Sequence, residues 1–260
     1  MTSPQPQLVL ENVSCHFGGI RAVNGVDLQL DTNDITGLVG PNGAGKTTLF
    51  NLITATIRAK SGRILFAGRN ITGLTPDAVA RLGLVRSFQS PMTLPGVTVR
   101  EHLRQAALFQ AIGRPSFLLR RRRIAAAEAQ ARRTADAVLD FARLAHVADE
   151  PADQLAYGVQ KILGVAMAVA AGPRLLLADE PAAGLNGAET AEMERLLRAI
   201  HEELSIGVLV IEHDLPMVMR LCSHVIALAQ GTVIADGRPH EVRGSRAFIE
   251  AYLGSEADAA

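Results

Sequence analysis

Cysteine is nearly absent: Cys15 and Cys222 are the only two in 260 residues, and they lie far apart. That excludes a disulfide framework and a cysteine-built zinc cluster, so both read as small apolar residues rather than a redox pair. Net charge is absent as well, because 26 basic side chains meet 26 acidic ones. Bulk nucleic-acid binding calls for a markedly basic domain, and no nucleic-acid partner is expected. The 23 glycines follow no G-X-Y period, which leaves turns and close backbone approaches. His16, His102, His146, His201, His224 and His240 show no metal-ligand spacing. The longest uncharged apolar run, Ile162–Gly172, falls well short of the ~20 residues that span a bilayer. The opening MTSPQPQLVLENV has no basic n-region and no long apolar h-region, so no signal peptide is expected. A soluble, cytoplasmic chain is expected, with any membrane part supplied by another subunit. With 48% hydrophobic and 20% charged residues the composition is that of a folded domain, not a disordered chain. The length suits one domain, or one with an inserted subdomain.

Residues 7–39 alternate apolar positions around turn signals, in LVLENVSCHF, VNGVDLQL and ITGLVG, which predicts short strands joined by tight turns. A helix should follow Gly45 with Leu49, Phe50, Leu52 and Ile53 on its buried face. A strand is predicted at Arg63–Phe66, and Thr75-Pro76-Asp77 reads as a helix start with Thr75 as cap. From about Val97 to Val147 the sequence turns Ala-, Arg- and Leu-rich. Thr98-Val99-Arg100-Glu101 reads as a capping box, Gly113-Arg114-Pro115 as a break, and 124–144 as a long helix. LLLAD and GVLVIEHD are continuous apolar runs ending in acids, as buried parallel strands do. A helix at 187–204 lies between them, and Val225–Ala229 with Thr232–Asp236 pair around Gln230-Gly231. Strands and helices alternating around an all-helical insert imply an α/β core with a helical subdomain.

Gly40-Pro41-Asn42-Gly43-Ala44-Gly45-Lys46-Thr47 fits G-x-x-x-x-G-K-[ST]. The glycines let successive backbone N–H groups face one anion, and the following helix adds its positive end. Lys46 can reach the outer phosphates, and Thr47, with Thr48 beside it, can place a hydroxyl on Mg²⁺. The motif follows the apolar strand ITGLV and precedes a helix, the context that this reading requires, and it implies a nucleoside triphosphate such as ATP. Asp179 and Glu180 end the strand Leu175–Ala178. There Asp179 suits the Mg²⁺ shell and Glu180 suits deprotonation of an attacking water.

With these residues in place the sequence resembles ATP-binding-cassette (ABC) ATPases over nearly the whole chain, 7–254. The resemblance implies a P-loop NTPase core with an antiparallel β subdomain and a helical subdomain inserted at about 90–170. Residues 1–6 and 255–260 then read as flexible tails. It implies that Phe17 stacks on adenine and that Gln89 links Mg²⁺ and the attacking water to the helical subdomain. By the same resemblance, Ala156, Tyr157 and Gly158 of LAYG stand at the signature motif that holds nucleotide. Leu185-Asn186 would contact the other nucleotide-binding subunit, and His213 would bond the γ-phosphate. HFGGIRAVNGVDL, VRSFQ, LAYG, DEPAAGLN, VIEHD and the AYLG tail look like the branched-chain or hydrophobic amino-acid importer cassettes.

What this implies is an ATP-hydrolysing importer subunit at the cytoplasmic face of the membrane. It would pair with an identical or related cassette beneath two permease subunits, fed indirectly by an extracytoplasmic binding protein. Cassettes for urea or amide import or lipid export, and soluble non-transport ABC ATPases, are the alternatives. Four residues depart from the family pattern. Ala156 replaces the usual signature serine, Val159 replaces a glutamine, and Gly164 and Met167 replace an acid and an arginine. Arg120–Arg123 reads as a solvated helix face, or else as a contact for anionic headgroups or permease loops.

Overall fold

The computed structural model describes residues 7–31, 34–87, 92–111 and 121–257. The alternation near the start becomes a hairpin of β1 (Leu8–Phe17) and β2 (Ile20–Leu30), turning through Gly18, whose φ of 59° suits a residue without a Cβ. β3 (Ile35–Val39), buried at every residue, runs into α1 (Lys46–Ile53). β4 (Ser61–Phe66) and the two-residue β5 (Arg69–Asn70) complete an antiparallel sheet in the order β2-β1-β4-β5. Next come α2 (Pro76–Arg81) and β6 (Leu84–Arg86). Three helices, α3 (Val99–Ala111), α4 (Arg121–Phe141) and α5 (Tyr157–Ala170), follow before the chain returns as β7 (Leu175–Asp179). α6 (Gly187–Leu204), β8 (Gly207–Ile211), α7 (Leu215–Leu221), β9 (His224–Ala229), β10 (Thr232–Gly237), α8 (Pro239–Gly244) and α9 (Arg246–Ala257) finish the chain.

The second sheet has the order β10-β9-β3-β8-β7-β6, parallel except at β10. Its strands β3, β7 and β8 are buried on both faces, and alternate residues feed two cores. Leu176, Ala178, Val208, Val210, Val225 and Ala227 join the helices α3–α7. Leu175, Leu177, Leu209, Ile211, Ile226 and Leu228 pack with α1 and the antiparallel sheet. The parallel order brings the C-terminal ends of β3, β8, β7 and β6 side by side, at the edge where open α/β sheets bind ligands.

Several local expectations need correction. Half of the capping box forms: Glu101 N donates to Thr98 Oγ1 at 3.2 Å, but the Glu101 carboxylate turns to Arg104 and Gln105 instead. A charge-assisted bond to guanidinium is stronger than a neutral one to a backbone N–H. Thr75 is the N-cap residue of α2 with Pro76 after it, as read, but its side chain makes no cap bond; its hydroxyl is drawn to Asp77. The long helix runs over Arg121–Phe141 rather than 124–144, with no acid in its first turn. α9 continues through Ala257, three residues into the segment read as a tail. The Gly113-Arg114-Pro115 break, residues 1–6 and 258–260, Arg120 and the side chains of Arg121–Arg123 lie outside what is described.

Candidate functional site

The loop between β3 and α1 is built around glycines that cannot be replaced. A Cβ at Gly40 (φ 153°) would sit 2.1 Å from Leu228 O, and one at Gly45 (φ 101°) 2.2 Å from Ala22 O. The loop is thus wedged between β9 and β2, and its backbone has to approach both strands closely. Asn42 to Thr48, together with Ile20, Arg21 and Ala22 of β2 and Glu180, line a cleft of about 250 Å³. Ala44 and Lys46 are buried beneath it, while Thr47 is exposed on it. The Lys46 ammonium donates to Gly40 O at 2.6 Å and Pro41 O at 3.0 Å. Burial lowers its pKa, and the nearby Glu180 carboxylate partly opposes that.

β7 delivers the two acids in register with β8, Asp179 opposite Ile211. Asp179, only 3% exposed, is ion-paired with Arg86 at the end of β6, and its N–H approaches Ser87 Oγ at 3.4 Å. Glu180 adopts φ 45°, a left-handed conformation rare outside glycine. Three hydrogen bonds hold it there. Its N–H donates to Ile211 O at 2.9 Å, and its carbonyl accepts from Ala183 N at 3.2 Å and from the Lys161 ammonium at 2.7 Å. Such strain persists only where the surroundings over-determine it, as at reactive positions. Lys161 is itself buried, which lowers its pKa against the pull of Glu212, Glu180 and Asp179.

Glu212, 1% exposed, closes this group from β8. Its carboxylate accepts from Ala182 N at 2.8 Å and His213 N at 3.3 Å, tying the segment after β7 to the segment after β8. Burial raises its pKa. His213 stands next to it with a largely exposed ring, and Asp214 caps α7 through Met217 N at 3.0 Å. Asp179, Glu180 and Glu212 therefore share one neighbourhood with Lys46, Arg86 and Lys161.

The signature residues sit elsewhere on the chain. Ala156 is the N-cap of α5 without a side-chain cap bond, and Tyr157 is 47% exposed beside Gly184. A Cβ on Gly158 would lie 2.5 Å from Glu189 Oε1, so this glycine is needed for α5 to pass α6. Glu189 has work of its own there: its carboxylate accepts from Asn186 N at 2.9 Å while Asn186 Oδ1 accepts from Ala188 N and Glu189 N. Asn186 thus caps α6 by a complete capping box. Phe17 is an exposed ring at the hairpin tip; the next three β2 residues after the turn, not Phe17, line the cleft. Gln89 and Phe88 lie outside the described residues.

Sequence reasoning passed over Arg86, Lys161, Glu212 and the stretch Ile20–Ala22. A signal existed for two of them, because Lys161 is a charged residue inside an otherwise apolar stretch and Glu212 directly follows the apolar run 207–211. His102 was given no role, yet it is buried with both ring nitrogens engaged, Nε2 accepting from Leu94 N and Nδ1 facing Thr98 O, each at 2.9 Å. It fastens the segment entering α3.

Comparison with known proteins agrees with this geometry. A family model described as ABC transporter matches residues 23–183. The chain is 37% identical over 258 residues to the high-affinity branched-chain amino acid transport ATP-binding protein BraF of Pseudomonas aeruginosa, covering 96% of this chain and 98% of the relative. It is 38% identical over 251 residues to LivG, of the same description, from Escherichia coli K12, again covering 96% and 98%. Among solved structures, a nucleotide-free ATP-binding cassette from an ABC transporter superposes with a TM-score of 0.81 at 29% identity, covering 95% of this chain and 99% of the other.

Proposed function

The chain belongs to the ABC transporter family as an ATP-hydrolysing subunit, and from that premise we propose that it drives import of branched-chain or closely related aliphatic amino acids. The observation that carries the site assignment is the convergence at one sheet edge of the phosphate loop after β3, Asp179-Glu180 after β7 and His213 after β8. In this reading the backbone N–H groups of 40–47 and the start of α1 cradle the phosphates of ATP. Lys46 exchanges its loop carbonyls for phosphate oxygens. Glu180, oriented by its strained backbone, takes the proton of the attacking water, and His213 contacts the γ-phosphate.

A divalent cation fits the donors present. Among the described residues no group of three or more His, Cys, Asp or Glu side chains could cage a metal, but one exposed hydroxyl, Thr47, lies on the cleft, and one buried carboxylate, Asp179, directly precedes Glu180 of its lining. Mg²⁺ is held in just that way, by one or two protein oxygens plus nucleotide phosphates. When bound it would neutralise phosphate charge; Thr47 and Asp179 would hold it, with Gln89 as the third group the resemblance assigns.

Ala156, Tyr157 and Gly158 lie off the phosphate cleft, and in this reading they serve the nucleotide of a second cassette. With no hydroxyl at Ala156, the backbone N–H groups at the start of α5 supply the contact. No helix among the described residues is long and apolar enough to cross a membrane. Permease subunits would supply the span, with this subunit on the cytoplasmic face and a binding protein delivering cargo outside. A mostly apolar cavity of about 190 Å³, whose lining includes Val85, Met92, Phe109, Gly164 and Met167 together with the charged Arg86, opens between the core sheet and the helical subdomain. Met92, itself exposed, is part of its lining, and it offers a permease loop an apolar seat. Gly164 and Met167, the departures from an acid and an arginine, are part of what makes it apolar.

The test is reconstitution with the permease subunits in liposomes carrying ATP inside and the binding protein outside. ATP-dependent uptake of labelled leucine, isoleucine or valine supports the proposal. Uptake of urea or a short amide with none of these would replace the cargo, and no membrane-coupled uptake of any solute would contradict the import reading.

A further inference from the structure

Arg86, which also lines the cavity offered to a permease loop, makes a direct ion pair with the carboxylate on which the reading above depends. Its NH2 group is ion-paired with Asp179 Oδ2, its NH1 donates to Asn51 Oδ1 of α1 at 2.6 Å, and its guanidinium lies 5.8 Å from the centre of the Phe50 ring. Its Nε is buried and has no acceptor among the described residues, so the guanidinium is held firmly at its tips and incompletely at its base. Asp179 is almost wholly buried, and a buried carboxylate must keep a positive partner. A divalent cation placed on the same carboxylate would stand within a few ångströms of the guanidinium and repel it.

Resting on the assignment of Asp179 to the cation shell, we propose that Arg86 is a built-in counter-ion that competes with the divalent cation for Asp179. The arginine neutralises the carboxylate when the cation is absent and yields it when the cation arrives with the nucleotide. Asn51 and the Phe50 face then keep the released guanidinium close by, so the exchange is reversible. The orphaned Nε makes the pair cheaper to break than a fully satisfied one. Nucleotide alone, which asks nothing of Asp179, would bind without disturbing Arg86. The arginine thus weakens the cation–nucleotide complex and lowers the site's preference for it over free nucleotide. The alternative arrangement has Arg86 aim the other carboxylate oxygen at the cation, and it predicts the opposite sign on every cation-dependent measurement.

The experiment measures equilibrium binding of the non-hydrolysable ATP analogue AMP-PNP to the full-length chain, with Mg²⁺ and with EDTA, and takes the ratio of the dissociation constant in EDTA to that in Mg²⁺. In Arg86→Gln, tighter binding in Mg²⁺ with unchanged binding in EDTA is expected, raising the ratio about tenfold, equivalent to about 1.4 kcal/mol. The ligand-free variant should also melt several degrees lower, and Arg86→Gln/Asp179→Asn should recover part of that loss because both charges are gone. Arg86→Lys, which keeps the charge but not the reach to two partners at once, should raise the ratio by a smaller factor; it decides the matter if the Gln variant does not fold. An unchanged or lowered ratio in the arginine variant that folds overturns the proposal. A purely structural role would weaken both dissociation constants in parallel and leave the ratio as it was. Asp179→Asn separates this from failure of the underlying assignment, because it should bring the ratio towards one. If it leaves the ratio at the wild-type value, Asp179 is not a cation ligand.

Discussion

At the scale of single residues the chain hides its charges until they are needed. The Lys46 ammonium, buried and bonded to two loop carbonyls, is the clearest case. Lys46→Ala should lose about 10- to 100-fold in ATP affinity, since a hydrogen bond to a charged group is worth about 1.5–3 kcal/mol. Equilibrium nucleotide binding checks this, and wild-type affinity would contradict the phosphate-loop role. Cys222 shows the same environment acting on a group with no chemical task. Packed against Gly37 beneath α7, its thiol is pushed up to about 12 by burial. It should resist iodoacetamide at pH 8 in the folded chain and react once the chain is denatured. Rapid labelling under native conditions would show that α7 opens far more readily than its packing implies.

Elements fit together here through absent side chains and through ion pairs, and the sequence displays the two unequally. Gly37, in the middle of β3, leaves room for α7: a Cβ there would lie 2.6 Å from Val218 Cγ1 and 3.1 Å from Cys222 Sγ. Gly37→Ala should cost about 1–3 kcal/mol by overpacking, or roughly 2–10 °C in Tm for a chain of this size, as calorimetry or a thermal melt would show. Nothing local marks this glycine, because a glycine in an apolar strand reads equally as a bulge. The strands themselves were legible, since LLLAD and GVLVI could be little else, and α6 appears with the bounds 187–204 that its periodicity predicts. The capping box at 98–101 was misread in part because a second partner, Arg104, lies one turn further along.

That partner sets an acid dependence. Held by Arg104 first and by Gln105 after it, the Glu101 carboxyl is lowered from 4.5 to about 2. A carboxylate depressed in the fold contributes stability above its unfolded pKa and loses it as pH falls through the folded value. Stability from this group should therefore be full above pH ~4.5 and disappear towards pH ~2. Glu101→Gln should flatten the dependence of Tm on pH in that window, and an unchanged slope would place the acid sensitivity elsewhere.

For the whole molecule, the parallel order β3-β8-β7 turns three separated sequence motifs into one site. The motifs were legible singly because each combines a strand end with reactive or glycine residues. The charge balance among them was not, because Arg86, Lys161 and Glu212 meet Asp179 and Glu180 only after three strands and α5 have been brought together. The same packing separates LAYG from the phosphate cleft of its own chain, which is why we assign it to the nucleotide of a partner cassette. Everything in this account depends on Glu180 activating water for ATP held at that sheet edge. The most direct measurement is the ATPase rate of the assembled transporter carrying Glu180→Gln, read alongside its retained ATP. Turnover should fall by roughly 10²-fold or more, the scale of a lost general base, while ATP stays bound. Near-normal turnover in that variant would contradict the site at its centre.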